Sequence, residues 1–382
     1  MQNLKLLFVV CFVSIYSFSQ VIEENLYSEV LGKDRELKIL LPRGYSDQDK
    51  KAYPVIYVLD GDYLFEIVAG NVDYYSYWQD IPESIVVGIN QIDDREKDLM
   101  YSNQNSLPID EGADFFEFFG KELVQYIEKN YKTEPFRVIV GHGKTANFAN
   151  YYLVREDPVF NGYVVISPDF APEMSGYLEK RMGILEQKIF YYMAASNKDV
   201  PFIMEDTKAL NTKLGQIENT NLLYAYNEIE DANHYTTPAH AIPKALDKIF
   251  FTFQPISKEE YNKSILQLES SPVEYLIQKY QEIEDLFGIE KQIIINDFNA
   301  IEAAIKKQEK WEYFEDLSKL AKQQYPETLL ANYYSAMYYE KIGKPKKAMK
   351  TYRDAYVMEE IGGITKDFML EQADAIKADF GY

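Results

Sequence analysis

Few side chains in this sequence are equipped for chemistry, and their placement narrows what they could do. There are three histidines, His142, His234 and His240, and one cysteine, Cys11. Cys11 lies inside an apolar leader. A chain cut after Ser19 would hold no thiol, and so no disulfide, cysteine metal site or cysteine nucleophile. His142 falls in the turn Gly141-His142-Gly143-Lys144-Thr145, directly after the apolar run Phe136-Arg-Val-Ile-Val140. A helix is expected to begin at that turn. Its free N–H groups, its dipole and the Lys144 cation together favour an anion or a carbonyl oxygen. Gly143-Lys144-Thr145 also mimics the end of a phosphate-binding P-loop. That motif needs a glycine five residues before the glycine of its Gly-Lys pair. The residue there is Val138, inside the expected strand, so nucleotide binding is excluded. No cofactor and no metal site are expected. His240, on a helix expected after Pro238, reads as a surface or packing residue. The aromatic run Asp73-Tyr-Tyr-Ser-Tyr-Trp78 could stack on a ligand, or be divided between core and surface.

The elements that must position these residues alternate. Strands are expected at Glu36–Pro42, Tyr53–Leu59, Ser84–Ile89, Phe136–Val140, Gly162–Ile166, Lys188–Met193 and Leu222–Tyr226. Several are near-continuous apolar runs, as in a parallel sheet covered on both faces. Helical stretches lie between them, such as Gly112 to Asn130, with Phe115, Phe116, Phe119, Leu123 and Ile127 on one face. Alternation of this kind means an α/β fold. After Pro255 the strand signals stop and the rest reads as helices. Leu329 to Glu359 resembles a tetratricopeptide repeat, with Ala336, Tyr339, Gly343, Ala348, Tyr352 and Ala355 near its small and aromatic positions. Ala321 and Ala355 stand one repeat length apart, about 34 residues. The expected organisation is a leader over 1–19, an α/β domain over 20–255 and an all-α, TPR-like region over 256–382.

Five segments in chain order resemble the putative-esterase family of α/β-hydrolases, which includes esterase D-like and siderophore esterases. They are Tyr53-Pro-Val-Ile-Tyr-Val-Leu-Asp-Gly-Asp62; Val86-Val-Gly-Ile-Asn90 with Arg95 and Asp98; Phe136-Arg-Val-Ile-Val-Gly-His-Gly143; Tyr163-Val-Val-Ile-Ser-Pro168; and Asp231-Ala-Asn-His234 with Pro238. The resemblance implies an α/β-hydrolase with a mostly parallel central sheet flanked by helices. It also implies a Ser-acid-His triad whose serine sits on a G-x-S-x-G turn. Here the serine position is Gly143 and the last glycine position is Thr145. Glycine offers no nucleophile, yet it adopts the strained turn easily. The resemblance makes His234 the remnant base. Asp199 is the preferred acid, with Asn197 as its rival. Oxyanion donors are expected from the N–H groups near Gly61 and of Lys144. Thr145 and Ser167 are the nearest other hydroxyls, and neither is expected to point where the elbow residue points.

The net charge is −21, from 61 acidic and 40 basic residues. Nucleic acid is therefore excluded as the main partner, because phosphate binding needs a basic face. Three functional readings stand. One is a non-catalytic hydrolase-fold protein that binds an ester, carboxylate or other anionic ligand. Another is an ester hydrolase with residual or unconventional activity through His234. The third is an interaction protein whose helical tail docks a protein partner. Lys5, the apolar run Leu6 to Tyr16 and Ser17-Phe18-Ser19 read as an export signal, so the expected location is periplasmic or extracellular. The exported protein should begin at Gln20 by intact mass. A mature chain beginning at a lipidated Cys11 is the contrary outcome.

Overall fold

A computed structural model of the protein describes residues 21–381; the expected leader over 1–19 lies outside the described residues. Eight strands form one sheet: β1 Val21–Ser28, β2 Lys33–Leu40, β3 Tyr53–Val58, β4 Ile85–Ile89, β5 Thr133–His142, β6 Gly162–Ile166, β7 Ile189–Ser196 and β8 Leu222–Ile229. Their order is β1-β2-β4-β3-β5-β6-β7-β8. β2 runs antiparallel to β1 and β4, and every pairing from β4 to β8 is parallel. This is the α/β-hydrolase architecture, with helices on both faces and a helical region after it. Seven of these strands match the expected runs. β1 was not expected: Val21-Ile-Glu-Glu-Asn-Leu-Tyr-Ser28 is half polar and pairs on one side only.

The strand period divides the core. Ile56, Val58, Val138, Val140, Val164 and Ile166 face one side, beneath helices Gly61–Tyr77 and Thr237–Ile249. Tyr57, Ile139, Tyr163, Val165 and Met193 face the other, with Phe115, Phe119, Phe148 and Leu178 packed on them. The expected helix over 112–130 is observed over 110–130, with a π turn at Phe118–Leu123 in its middle. Phe115, Phe119, Leu123 and Ile127 are spaced four apart, which overruns a period of 3.6. The wider turn absorbs the drift and keeps these residues, together with Phe118, buried on the sheet.

The helical region continues the first of these cores. Phe287, at the end of helix Pro272–Phe287, sits with its ring 4.8 Å from that of Phe136 on β5 and also meets Phe250 and Phe190. Further on, Leu329–Lys341 and Pro345–Asp354 form a helix pair turning at Gly343, which has φ 74°. Ala336, Ala348, Tyr352 and Ala355 join Met369, Ala373 and Ile376 of the last helix, Lys366–Phe380, in a small separate core. Because Phe287 is fully buried between sheet and tail, Phe287→Ala should cost about 3–5 kcal/mol. Residues 256–382 expressed alone should melt without a sharp transition. A cooperative melt of that fragment would show instead that it folds without the sheet.

Candidate functional site: a cleft above Gly143

β5 ends at His142 and helix Lys144–Leu153 starts at the next residue but one, so the chain reverses within a single step. That step is Gly143, at φ 61° and ψ −122°. Positive φ costs little for glycine alone. The turn is braced on every side. The Gly143 N–H donates to Ile166 O (3.0 Å), and the Gly143 carbonyl accepts from Asp169 N–H (3.1 Å). A Cβ on Gly141 would come within 2.5 Å of Thr145 O, so the backbone can close only over a glycine. Thr145 is fully buried, and its Oγ1 accepts from the His142 N–H at 3.0 Å and lies 2.7 Å from Asp60 Oδ2. Its hydroxyl holds the turn and points away from the cleft.

Two more strand ends bring the other expected residues here. Asp199 follows β7 and His234 follows β8. His234 Nδ1 lies 2.8 Å from Asp199 Oδ1. A carboxylate only accepts, so Nδ1 carries the proton and Nε2 presents a lone pair. A Cβ built on Gly143 would stand 3.6 Å from His234 Nε2. Asp199 also accepts from Ser167 Oγ and, at 2.8 Å, from Val200 N–H. Burial pushes its pKa up, but the hydrogen bonds from His234, Ser167 and Val200 outweigh that and leave it below the usual carboxylate value. Asn197 is at the surface and its side chain takes no part in the pair. Ser167 stands behind the acid.

A cleft of about 510 Å³ opens above Gly143, lined by Lys144, Tyr63, Arg95, Asp169, His142, His234, Val200, Phe202, Ile203 and Tyr235. Lys144 opens its helix, so its N–H has no intrahelical partner and can serve an oxyanion. Its ammonium is paired with Glu96 at 2.8 Å in the open. Gly61 does not line the cleft. It is buried where a Cβ would meet the Ile89 backbone at 2.8 Å, and Tyr63, two residues on, forms the wall. His240 is exposed on its helix. Tyr74, Tyr77 and Trp78 are exposed at the far end of helix Gly61–Tyr77, roughly 20 Å along its axis from Tyr63, so they do not stack at this cleft. A larger groove, about 990 Å³ near Lys51 and Lys291, contains no histidine. Among the described residues no cluster of His, Cys, Asp or Glu could hold a metal ion, and no helix is long and apolar enough to cross a membrane.

Of the wall residues, Arg95 stood in a family segment, whereas Tyr63, Asp169, Phe202 and Tyr235 had no motif of their own. Arg95 grips Asp60 through Nε (2.6 Å) and Nη2 (3.0 Å). His142 Nε2 lies 3.0 Å from His234 O, so Nε2 holds the proton and Nδ1 accepts. The Tyr63 hydroxyl is 3.1 Å from that Nδ1 and 3.0 Å from Asp60 Oδ2, so one proton is shared between two acceptors.

The matching family model is described as "Putative esterase" and covers residues 28–214. An uncharacterised protein from Capnocytophaga ochracea is 31% identical, with a TM-score of 0.83 over 94% of this chain and all of that one. The chain belongs to this esterase family. An IroE-like serine hydrolase from Shewanella oneidensis is 22% identical, with a TM-score of 0.59 over 79% of this chain and 99% of its own. The siderophore hydrolase EstA from Aspergillus nidulans is 13% identical, with a TM-score of 0.53 over 65% of this chain and all of its own. Both share the fold of this family member. No curated protein sequence matches it.

Burial, and then the neighbouring His234, lower the His142 pKa from 6.5 to about 4. The folded protein therefore keeps His142 neutral in a window where the unfolded chain takes up a proton. Stability is full above the unfolded value and is lost as pH falls from about 6.5 to about 4. The loss attributable to His142 is on the order of 3 kcal/mol. Denaturant titrations across this window should show a shallower pH slope for His142→Gln than for wild type. Equal slopes would mean that His142 is not the titrating group.

Proposed function

We propose that this esterase-family protein binds a ligand in the cleft above Gly143 without forming an acyl-enzyme, and that it does so after export. One observation carries the reading. The acid–base half of a triad, Asp199 and His234, is aimed at a backbone position that has no side chain, 3.6 Å from where its Cβ would be. The Thr145 and Ser167 hydroxyls offer no substitute. Thr145 Oγ1 is committed to the elbow backbone and Asp60, and Ser167 Oγ donates to the acid. The Shewanella neighbour is named a serine hydrolase; this chain has no serine at the elbow. Lys144 N–H suits a carbonyl or carboxylate oxygen, and the open space over Gly143 leaves room for a ligand atom. The tail's helix pairs fit a TPR-like reading, with Gly343 at the turn and Ala336, Ala348 and Ala355 in their small core.

A second reading is favoured by the same 2.8 Å pair: His234 could direct a water at a bound ester. Ester assays separate the two. Losing a triad nucleophile typically costs on the order of 10⁶ in kcat. Purified protein should therefore show no burst and only background turnover of short-chain aryl esters, and His234→Ala should leave that background unchanged. Robust turnover abolished by His234→Ala would establish the water-directed hydrolase instead.

A further inference from the structure

We infer that the ligand of this cleft is a hydroxy carboxylate with an apolar body. Its hydroxyl fills the space over Gly143 and donates to His234 Nε2; its carboxylate lies at Arg95 and Lys144. The inference rests on the ligand-binding reading and names the chemistry of the ligand.

Three features of the cleft require three features of the ligand. The first is the lone pair on His234 Nε2. Its proton is on Nδ1, held by Asp199, and Nε2 has no hydrogen bond to protein among the described residues. It faces the space where a Gly143 Cβ would lie 3.6 Å away. A group that sits there and satisfies Nε2 must be small and must donate, and an alcohol O–H does both. The second is cationic. Arg95 gives Nε and Nη2 to Asp60, which leaves Nη1 outside that fork. Lys144 is paired with Glu96, and the two side chains are 44% and 75% exposed. Such pairs are worth little, so a ligand carboxylate can displace Glu96 at small cost. Asp169 is tied to the Gly143 carbonyl through its own N–H and would repel a carboxylate placed beside it. The acid end is therefore directed to the Arg95 and Lys144 side. The third is apolar. Val200, Phe202 and Tyr235 are exposed and border the cleft with Ile203, so a hydrocarbon or ring buried against them gains by leaving water.

The test is calorimetric binding of probes that contain no ester bond, so the result stands whether or not the protein turns over esters. The probes are decanoate, its 2-hydroxy and 3-hydroxy derivatives, the methyl ether of the better hydroxy acid, and its primary amide. The better hydroxy acid should bind about fivefold or more tighter than decanoate, the gain expected of one good hydrogen bond. The methyl ether keeps the oxygen but cannot donate, so it should lose that gain. The amide lacks the charge and should also bind more weakly. In Gly143→Ala, which fills the space, hydroxy acid and decanoate should become equal; the ether comparison needs no variant and does not depend on that protein folding. Equal affinity of hydroxy acid, ether and decanoate for wild type would overturn the inference, as would an amide that binds as well as the acid, or no binding by any of them.

Discussion

The cleft is registered on one backbone turn, the positive-φ step at Gly143. A non-glycine residue held in such a region costs on the order of 1–3 kcal/mol, which surrounding structure must supply. Here the bracing is in place although the residue is glycine. Gly141 leaves room for Thr145 O, Ile166 O takes the Gly143 N–H, and Thr145 Oγ1 takes the His142 N–H. A turn that needs no strain relief is nonetheless clamped as if it did. The turn thus has the bracing of a nucleophile elbow with no side chain on it, and the volume above Gly143 is open.

The clamp reaches well beyond the turn. Asp60, fully buried, takes the fork of Arg95 and lies against Thr145 Oγ1, while its own N–H donates to Gln91 Oε1 at 2.9 Å. Gln91 Nε2 donates in turn to Asp98, and Asp98 holds the buried Arg35 at 2.8 and 2.6 Å. A chain of hydrogen bonds, charge-assisted at Arg95 and Arg35, therefore runs from β2 to the elbow. Leaving one member of such a buried pair uncompensated typically costs about 3–5 kcal/mol. The segment after β4, which carries Arg95, is held to the sheet by these contacts, and this is what keeps the cationic wall of the cleft in place.

What could be read from the sequence follows from how local each signal is. Parallel strands announce themselves as apolar runs, so β3 to β8 were legible; antiparallel β2 showed through Leu37-Lys-Ile-Leu40, and β1, half polar and paired on one side, was not legible. The elbow, Asp199 and His234 were legible because their order along the chain matches a known pattern. The cleft wall was not. Arg95 stood in a family segment, but Tyr63, Asp169, Phe202 and Tyr235 come from loops and helix starts after four different strands. Only the strand order brings them together, and no spacing encodes it. Gly61 shows the converse. Its motif suggested an oxyanion donor, whereas its lack of a side chain is already required by the Ile89 backbone. The π turn at Phe118–Leu123 was hinted at only by aromatic spacing slightly too long for one face.

The Asp199–His234 pair is weak evidence for catalysis, because it also satisfies a buried carboxylate of the fold. Asp199 is a buried carboxylate, and three donors, His234, Ser167 and the Val200 N–H, satisfy it. A buried acceptor stripped of a partner costs about 1–3 kcal/mol or more. The His234 carbonyl also accepts from His142 Nε2, which fixes the tautomer of a second buried ring. Nδ1 and the carbonyl of His234 are thus accounted for by stability alone. Nε2 is not: it holds nothing in the protein together and faces the space over Gly143. What the pairing does beyond folding is fix the proton on Nδ1, which leaves the Nε2 lone pair facing that space.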